Sequence, residues 1–520
     1  MVLAYGRIGS AGPTSDASKT SDSAPGSCIR MGRDFESRPI LASWVHLSAP
    51  SRVIICGARL DTRRTCQLYL SRTRIVLVGE LTKGKDSDRR SRQLSKLLLT
   101  GGARLHGTIR SSGSKNSTLA IMAGALLGKG ETILRSVPDI GDVHTMMDML
   151  RALGVICEEV SRGVVHIDAT EIDATEAPYE LVKRMRASFS VLGPMLARKG
   201  YAKVAMPGGC DIGARPIDLH VKGIQALGAL VNIEHGYVEA EGNELRGAQV
   251  YFNLPSAGAT QHIMTTACLA EGVTTISNAA MEPEVVELAN MLTQMGARIH
   301  GAGTPTVRIE GVKELHGTEF EIVPDRMEAG TFAVAATITM GDVTIENVRP
   351  EHIEPFVAKL REVGAVVDMY DNAMRVRCNA RPMATDVMTM PHPGFPTDLQ
   401  QPFAAMLSIA EGVSVITENV YERRFKYVNE IVRMGADIKQ DGRSAVITGV
   451  PKLMGAQVTA PDLRGGAALI CAGLAAEGQS EISGLEHVER GYENLAAKLQ
   501  ELGADVGPVS NDIERETILV

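Results

Sequence analysis

The sequence is poor in aromatic residues, which restricts how its cores can be built. Aromatics make up 4% of the 520 residues, and Trp44 is the single tryptophan. Aliphatic side chains, alanine and methionine must therefore supply most of the packing, and an apolar content of 44% suffices for substantial cores. A chain of this length has room for two or three domains.

The sequence also lacks the patterns of membrane proteins, metalloproteins and disulfide-rich proteins. No apolar run reaches the roughly 18–20 residues of a membrane span, so we expect no membrane segment. None of the eight cysteines stands in a C-x-x-C pair, and no His/Cys cluster has metal-ligand spacing, so we expect no metal. Sparse, unpaired cysteines are typical of a reducing compartment.

An excess of basic charge is missing from most of the chain. Residues 1–100 hold 17 Lys/Arg and 8 Asp/Glu, whereas the remaining residues hold 37 and 53. An acidic body argues against a nucleic-acid-binding surface, so no nucleic-acid partner is expected. An anion site in such a body must be a focused pocket of basic residues.

Residues 1–97 differ in composition from everything that follows. The first thirty residues are rich in Ser and Thr and lack the apolar core of a secretory signal. The composition suits a plastid or mitochondrial transit peptide, but it also suits generic disorder or upstream sequence joined by a wrongly assigned start codon. We treat this segment as an N-terminal extension, disordered or transit-peptide-like, outside the folded part.

From about residue 99 one pattern recurs six times. Its marker is an apolar residue, a glycine and a small residue at the end of an amphipathic helix, where the glycine supplies a left-handed C-cap. The marker glycines stand 74, 68, 68, 71 and 68 residues apart, at Gly154, Gly228, Gly296, Gly364, Gly435 and Gly503. The near-constant period indicates one supersecondary unit of alternating strands and helices, and therefore an α/β fold.

Six units of about 70 residues are too many for one core, so the repeat predicts two domains of three units each. A ligand cleft between the domains is then expected. The alternative is a single solenoid, which is disfavoured because solenoid periods are shorter, about 20–50 residues.

A loop rich in glycine and proline, residues 207–216, carries Cys210 and Arg215 just before a helical pattern resumes. A helix N-terminus and a neighbouring cation both lower the pKa of a thiol, which favours a reactive cysteine. An ordinary turn with an incidental cysteine fits the same residues.

Further basic residues stand in predicted loops or at helix starts. Lys115 and Asn116 follow a run of small residues before an apolar helix, a setting that suits a phosphate. Arg424, Arg464 and Arg490 occupy comparable places in the fifth and sixth copies. Singly, each arginine is a typical surface residue. Together with Arg215 they suit a small ligand that carries a phosphate and a carboxylate.

These segments together resemble the UDP-N-acetylglucosamine enolpyruvyl transferases. The resemblance covers residues 98–510 and rests on residues 105–116, 185–188, 207–219, 395–398, 421–425, 462–466 and 487–492. It implies an inside-out α/β barrel of two domains, each with three copies of a β-α-β-α-β-β unit. The chain should cross between the domains near residues 113 and 324. Residues 98–113 and 324–520 then form one domain, and residues 114–323 form the other.

The resemblance implies transfer of the enolpyruvyl group of phosphoenolpyruvate to the 3′-hydroxyl of UDP-N-acetylglucosamine, with release of phosphate. This reaction is the first committed step toward peptidoglycan precursors and proceeds by addition and elimination. The implied partners are the two small-molecule substrates, and no metal or organic cofactor is implied. Partner proteins stay unknown.

By the same resemblance, Cys210 is the proton donor and Asp398 the base for the sugar hydroxyl. Lys115, Arg215 and Arg490 match the phosphate ligands, and Arg424 and Arg464 match a clamp for the carboxylate. The remaining matches to substrate-site positions are Asn116, Arg186, Pro216, Ile217, Asp218, Leu219, Leu254, Pro255, Ser256, Ala257 and the backbone of Val420. Without the resemblance, Asp398 would be interpreted as a helix N-cap.

Three departures from the family pattern bear on these assignments. Asp211 adds a negative charge beside Cys210, which would raise the thiol pKa. Gly465 and Gly466 follow Arg464 where a small polar pair is also familiar, which suggests a looser loop. Arg423 precedes Arg424, so that assignment is open by one residue.

Two alternatives stay open. The first is 5-enolpyruvylshikimate 3-phosphate synthase, which shares the fold and the phosphoenolpyruvate chemistry but lacks the cysteine loop. The second is an inactive homologue that keeps the nucleotide-sugar site. The extension is foreign to the bacterial family and favours the plastid stroma over the bacterial cytoplasm.

Overall fold

The computed structural model describes residues 67–71, 74–78, 96–207 and 217–508. The chain divides into two compact units, residues 1–93 and residues 94–520. In the first unit, strands β1 (Gln67–Ser71) and β2 (Arg74–Val78) form an antiparallel hairpin in which Gln67 pairs with Val78. This hairpin lies within the predicted extension, whose disordered or transit-peptide-like character stays a prediction, and its strands are two short runs rich in apolar residues.

The second unit contains all the other described strands. In chain order they are β3 (Lys96–Thr100), β4 (His106–Arg110), β5 (Gly128–Lys129), β6 (Glu131–Arg135), β7 (Ile156–Ser161), β8 (Val164–Asp168), β9 (Glu176–Ala177), β10 (Tyr201–Ala205), β11 (Leu230–Glu234), β12 (Tyr237–Glu241), β13 (Gln249–Tyr251), β14 (Val273–Ser277), β15 (Arg298–His300), β16 (Thr306–Glu310), β17 (Leu315–His316), β18 (Glu319–Glu321), β19 (Asp342–Glu346), β20 (Val366–Tyr370), β21 (Ala373–Arg377), β22 (Val387–Met388), β23 (Val413–Thr417), β24 (Asp437–Asp441), β25 (Ser444–Thr448), β26 (Gln457–Thr459), β27 (Gln479–Ser483) and β28 (Asp505–Pro508).

The α-helices of this unit alternate with the strands. They are α1 (Lys115–Gly124), α2 (Gly141–Ala152), α3 (Tyr179–Arg184), α4 (Leu192–Lys199), α5 (Asp218–Ala226), α6 (Ala257–Ala267), α7 (Pro283–Gln294), α8 (Arg326–Ile338), α9 (Glu354–Glu362), α10 (Gln400–Leu407), α11 (Val428–Arg433), α12 (Leu463–Ala475), α13 (Leu485–Glu489) and α14 (Leu495–Glu501). Short 3₁₀ helices cover Ala125–Leu127, Arg186–Val191, Pro350–His352 and Thr397–Leu399. None of the helices in these described stretches is long and apolar enough to cross a membrane.

The six predicted copies correspond to six four-stranded sheets among the described residues. Each sheet has one parallel pair followed by two antiparallel pairings, in the orders β18-β6-β8-β7, β9-β10-β12-β11, β13-β14-β16-β15, β4-β19-β21-β20, β22-β23-β25-β24 and β26-β27-β3-β28. The third copy, for example, runs β13-α6-β14-α7-β15-β16, which confirms the β-α-β-α-β-β unit. All six marker glycines have positive φ, from 88° to 105°, which glycine adopts without the steric cost of a Cβ atom.

The sixth sheet corrects the predicted start of the folded part. Its central strand is β3, which pairs antiparallel with β27 on one side and with β28 on the other. The first strand of the repeat region thus closes the last copy, and it begins at Lys96. Residues 96 and 97 therefore belong to the fold rather than to the predicted extension. The charged run that ends at Lys96 obscured this boundary, because its composition continues into the first residue of the strand.

Two clusters of buried apolar side chains lie inside this unit. One draws its residues from positions 119–322, and the other from positions 97–109 and 327–506. Helices form the interior: every residue of α8 is buried, and so are residues 464–474 of α12. The chain passes between the clusters in two segments that are hydrogen-bonded to each other, with Ser114 N donating to Val323 O (2.7 Å) and Asp325 N donating to Ser112 O (2.8 Å). The domain boundaries near residues 113 and 324 stay a prediction, and this pairing supports them.

Candidate active site

Lys115 is positioned at the point where the two crossing segments meet. It is the first residue of α1, and its backbone N–H donates to Oδ2 of Asp325 (3.0 Å). The other oxygen of the buried Asp325 carboxylate accepts from the N–H groups of Met327 and Glu328, at the start of α8. One carboxylate thus caps two helix starts. Because these N–H groups already have acceptors, an anion here would meet the side chain of Lys115 rather than its backbone.

Lys115 and Arg490 are brought together by Asp142, in the first turn of α2. Lys115 Nζ lies 3.0 Å from Oδ2 of Asp142, and Arg490 Nε lies 2.8 Å from its Oδ1. Gly491 leaves room for this approach, since a Cβ atom there would lie 2.7 Å from Cδ2 of Leu463 and 3.1 Å from Cδ of Lys115. Burial alone would raise the pKa of Asp142, but Lys115 and Arg490 outweigh it and hold the pKa below its usual value. Two of the three predicted phosphate ligands therefore share one buried counter-ion.

Asp398 lies between the two arginines of the predicted carboxylate clamp. Its Oδ1 is 2.6 Å from Arg424 Nη2, and its Oδ2 is 3.1 Å from Arg464 Nε. Both arginine side chains are at most 3% exposed, whereas Asp398 keeps 24% of its side-chain surface in solvent. Burial would raise the pKa of Asp398, but Arg424 and then Arg464 outweigh it and hold the pKa far below its usual range.

The geometry of this group answers two questions left by the sequence. Arg424 is buried on Asp398, while Arg423 is exposed, so the arginine that faces the carboxylate is Arg424. Asp398 lies inside the 3₁₀ helix Thr397–Leu399, whose N-cap is Pro396, and its side chain binds arginines rather than a helix end. The interpretation of Asp398 as an N-cap is therefore wrong.

Arg464 retains unused hydrogen-bonding capacity. Its Nη1 and Nη2 atoms are buried and have no hydrogen-bond partner among the described residues, while the guanidinium lies 5.1 Å from the ring centroid of Tyr492. Buried guanidinium N–H groups that lack an acceptor are costly, which marks the space beside these two nitrogens as suited to an anion. Gly465 and Gly466 are not in a loose loop: they lie in the first turn of α12, where a Cβ atom on Gly466 would come within 2.4 Å of Val488.

The predicted nucleotide-sugar residues come from three separate segments. Arg186 begins the 3₁₀ helix Arg186–Val191, Ile217 to Leu219 begin α5, and Leu254 to Ala257 lead into α6, where Ser256 is the N-cap. Two histidines join these segments: Nδ1 of His220, on α5, lies 2.8 Å from Nδ1 of His262, on α6, and Phe189 packs edge-on against both rings. Burial, and then Arg186, lowers the pKa of His220 to about 4, so the pair is neutral at pH 7.

The structure says less about the roles of the remaining predicted residues. Asn116 is exposed in the first turn of α1. The backbone N–H of Val420 donates to Oε1 of Glu418 (2.8 Å), which turns that group into the protein. Cys210, Arg215 and Pro216 lie outside the described residues, so their roles stay predictions. In the described part of the chain, no group of three or more His, Cys, Asp or Glu side chains is placed to hold a metal ion.

Three carboxylates of the site were missed at the level of sequence: Asp142, Asp325 and Glu418. Each is buried and organises predicted residues, yet none lies inside the segments that carry the family resemblance. Asp325 carries the one local signal, since it directly precedes an apolar helix as an N-cap does. Asp142 and Arg490 are 348 positions apart, and no pattern in the sequence links them.

Comparison with known proteins places this arrangement in a family. A family model described as EPSP synthase (3-phosphoshikimate 1-carboxyvinyltransferase) matches residues 99–499. The chain belongs to the EPSP synthase family. Its members are carboxyvinyl (enolpyruvyl) transferases, and the matched range includes every residue of the site described above.

Individual relatives narrow the comparison within the EPSP synthase family. The UDP-N-acetylglucosamine 1-carboxyvinyltransferase 1 of Caldanaerobacter subterraneus is 52% identical over 412 residues, which is 79% of this chain and 99% of the relative. The UDP-N-acetylglucosamine 1-carboxyvinyltransferase of Nostoc sp. is 50% identical over 417 residues, 79% of this chain and 93% of the relative. Both matches leave about a fifth of this chain uncovered.

Solved structures extend the comparison to the fold. The enolpyruvyl transferase NikO from Streptomyces tendae matches with a TM-score of 0.72 at 25% identity, covering 79% of this chain and 98% of that one. An EPSP synthase from Acinetobacter baumannii matches with a TM-score of 0.64 at 20% identity, covering 80% of this chain and all of that one, which shows the shared fold alone. The two-domain α/β architecture implied by the sequence is thereby confirmed.

Proposed function

We propose that this chain transfers the enolpyruvyl group of phosphoenolpyruvate to the 3′-hydroxyl of UDP-N-acetylglucosamine and releases inorganic phosphate. One observation carries the proposal: the site holds two separate pairs of basic side chains, each organised around one carboxylate. Lys115 and Arg490 share Asp142, and Arg424 and Arg464 share Asp398. Two cationic pairs suit a small ligand with two anionic groups, and phosphoenolpyruvate has one phosphate and one carboxylate.

The arginine pair on Asp398 suits the carboxylate of the substrate. Asp398 occupies the place that a ligand carboxylate would take, because its two oxygens meet one nitrogen of each guanidinium. The free Nη atoms of Arg464 add donors that Asp398 does not use. A substrate carboxylate that displaces Asp398 would therefore gain more hydrogen bonds than the aspartate makes.

The same displacement prepares Asp398 to act as a base. While both arginines hold it, its lowered pKa makes it a weak proton acceptor. When the substrate carboxylate takes over the guanidiniums, their positive charge is neutralised and the pKa of Asp398 rises toward its usual value. The base thus becomes effective only after phosphoenolpyruvate has bound.

In the proposed mechanism, the 3′-oxygen bonds to C2 of phosphoenolpyruvate and its proton passes to Asp398. Cys210 protonates C3, which gives a tetrahedral intermediate that carries the phosphate on C2. The Cys210 thiolate then takes a proton back from C3 while phosphate leaves C2, which restores the double bond in the product. The proton held by Asp398 passes to the departing phosphate. Lys115, Arg490 and Arg215 would stabilise the charge on the departing phosphate.

The identity of the acceptor rests on the relatives. Curated relatives about 50% identical over almost their whole length carry the name UDP-N-acetylglucosamine 1-carboxyvinyltransferase. The solved EPSP synthases share only 20% of their residues with this chain. This difference favours the nucleotide sugar over shikimate 3-phosphate, and it supports a role in making peptidoglycan precursors.

The test is a phosphate-release assay with phosphoenolpyruvate and either acceptor. The proposal predicts release with UDP-N-acetylglucosamine and none with shikimate 3-phosphate. Release with shikimate 3-phosphate but not with UDP-N-acetylglucosamine would favour the alternative, 5-enolpyruvylshikimate 3-phosphate synthase. If calorimetry detects binding of the nucleotide sugar but neither acceptor releases phosphate, the chain is a binding protein and the proposal is wrong.

We also propose that the extension directs the protein to the plastid stroma, on the basis of its Ser/Thr-rich composition. Residues 1–66 and 79–95 lie outside the described residues, so composition is the support for this proposal. A fusion of residues 1–93 to a fluorescent protein should enter isolated chloroplasts and be shortened there. A fusion that stays outside them and keeps its length would contradict it.

A further inference from the structure

Glu418 is a fully buried carboxylate that none of the predicted roles includes. It follows strand β23, and its exposed fraction is 0%. Its Oε1 accepts hydrogen bonds from Thr389 Oγ1 (2.8 Å), Val420 N (2.8 Å) and Tyr421 N (2.9 Å), and its Oε2 accepts one from Thr397 Oγ1 (2.8 Å). Four uncharged donors from three chain segments therefore converge on one side chain. A buried carboxylate satisfied in this way fixes its donors in place.

The bond from Thr397 extends from Glu418 into the site. The Thr397 hydroxyl donates its one proton to Oε2 of Glu418. Its lone pairs are then left for Nη1 of Arg424, which lies 2.9 Å away. The Nη2 atom of the same guanidinium holds Oδ1 of Asp398 at 2.6 Å. Glu418 thus determines the hydrogen-bond direction of a chain that ends on the proposed base.

A second contact reaches the same arginine from its face. Glu418 binds the backbone N–H of Tyr421, and the guanidinium of Arg424 lies 5.3 Å from the centroid of the Tyr421 ring. A guanidinium over an aromatic face is held by a cation–π interaction. Glu418 therefore constrains Arg424 both in its plane, through Thr397, and across its face, through Tyr421.

We infer that Glu418 is a positioning residue of the active site, which sets the orientation of Arg424 and, through it, of Asp398. The inference rests on the proposed function, because it assigns Arg424 and Asp398 to phosphoenolpyruvate. The competing explanation is that Glu418 only stabilises the fold, as a buried hydrogen-bonding centre would. The two explanations differ in whether the hydrogen bond that leads from Glu418 to Arg424 matters more for activity than an equal bond that leads elsewhere.

The chain offers a matched pair of variants that separates these explanations. Thr389 and Thr397 each donate one hydroxyl to Glu418 at 2.8 Å. The hydroxyl of Thr397 also accepts from Arg424, whereas that of Thr389 accepts from the backbone N–H of Asn419 (3.0 Å) and leads away from the arginine. Thr389→Val and Thr397→Val therefore remove the same group from the same carboxylate, but only the second cuts the connection to the site.

The experiment measures thermal unfolding and steady-state kinetics of both variants in the full-length chain, with Glu418→Gln as a variant that keeps the side-chain shape. We expect similar small losses of Tm in the two threonine variants. We expect Thr397→Val to lower kcat/KM for phosphoenolpyruvate about tenfold or more, because misplacing a reacting group by about 1 Å can cost about 100-fold. Thr389→Val should stay within about twofold of the wild type. Glu418→Gln should also lower kcat/KM for phosphoenolpyruvate. In this variant the KM for the nucleotide sugar should change less than the KM for phosphoenolpyruvate.

Equal kinetic losses in the two threonine variants, or losses that follow Tm alone, would overturn the inference. An unchanged Glu418→Gln enzyme would overturn it too. If the wild-type chain releases no phosphate with either acceptor, the proposed function fails separately. In that case, calorimetric measurement of phosphoenolpyruvate binding still tests the role of Glu418. The inferred role requires Thr397→Val to bind phosphoenolpyruvate more weakly than Thr389→Val does.

Discussion

Strand β3 makes a sharp prediction about where the chain can be shortened. Deleting residues 1–93 leaves every residue of β3 in place and removes none of the two core clusters. Deleting residues 1–102 removes the central strand of the sixth sheet. Two leucines of that strand, Leu97 and Leu99, are 2% and 0% exposed. Loss of a buried leucine side chain costs about 2–5 kcal/mol, so the pair accounts for about 4–10 kcal/mol.

That loss is comparable with the whole stability of a typical domain, about 5–15 kcal/mol. Both neighbouring strands, β27 and β28, would also lose their backbone partners. We therefore expect the longer deletion to abolish cooperative unfolding, whereas the shorter one should shift Tm by less than about 2 °C and keep its activity.

Circular dichroism during thermal and urea unfolding of the two purified proteins checks this prediction. The full-length chain is the reference for Tm and for the denaturant slope. A protein without residues 1–102 that unfolds cooperatively at the original midpoint would refute the role of β3. Loss of folding after deletion of residues 1–93 would refute the boundary itself.

Two further predictions concern reactive and acidic groups. In the protein lacking residues 1–93, Cys210 should be labelled first by an epoxide or a maleimide, because the other four cysteines of that protein are buried and burial raises the pKa of their thiols. Peptide mapping that finds one of those four labelled first would contradict this. Asp142→Asn should cost about 3 kcal/mol of unfolding free energy at pH 7, because it removes the buried partner of Lys115 and Arg490. Since the pKa of Asp142 is lowered in the folded chain, its contribution is present above the unfolded pKa of about 3.9 and is lost as the pH falls through the folded value. Urea unfolding of the wild type and of Asp142→Asn at several pH values measures the difference between their free energies of unfolding. This difference should shrink below about pH 4. A difference that grows there would contradict the stabilising role of the Asp142 carboxylate.

Much of the fold follows from local sequence signals. Each marker glycine is required by a backbone conformation that other residues rarely adopt, so its recurrence reports the end of the same helix six times. The alternation of strands and helices then predicts the unit. The closure of the sixth copy by β3 has no such signal, because the pairing joins strands almost 400 positions apart and depends on the complete fold.

The candidate site, like the fold, has residues that local sequence signals predict and residues that they do not. Arg424, Arg464 and Asp398 lie in recognisable segments, and the structure brings them into contact. Asp142 and Glu418 could not be found in this way, since a single acidic residue beside a strand or in a first helical turn usually faces solvent. Their importance arises from burial, and burial of a polar side chain is decided by tertiary packing rather than by its neighbours in the sequence.

The central claim is that the two cationic pairs serve transfer of an enolpyruvyl group to a nucleotide sugar. Mass spectrometry of UDP-N-acetylglucosamine after incubation with phosphoenolpyruvate and the protein lacking residues 1–93 tests it most directly. We expect a nucleotide sugar that has gained one enolpyruvyl group, formed in equal amount to the phosphate released. An unchanged nucleotide sugar in a reaction that converts shikimate 3-phosphate, or in one that converts neither acceptor, would contradict it.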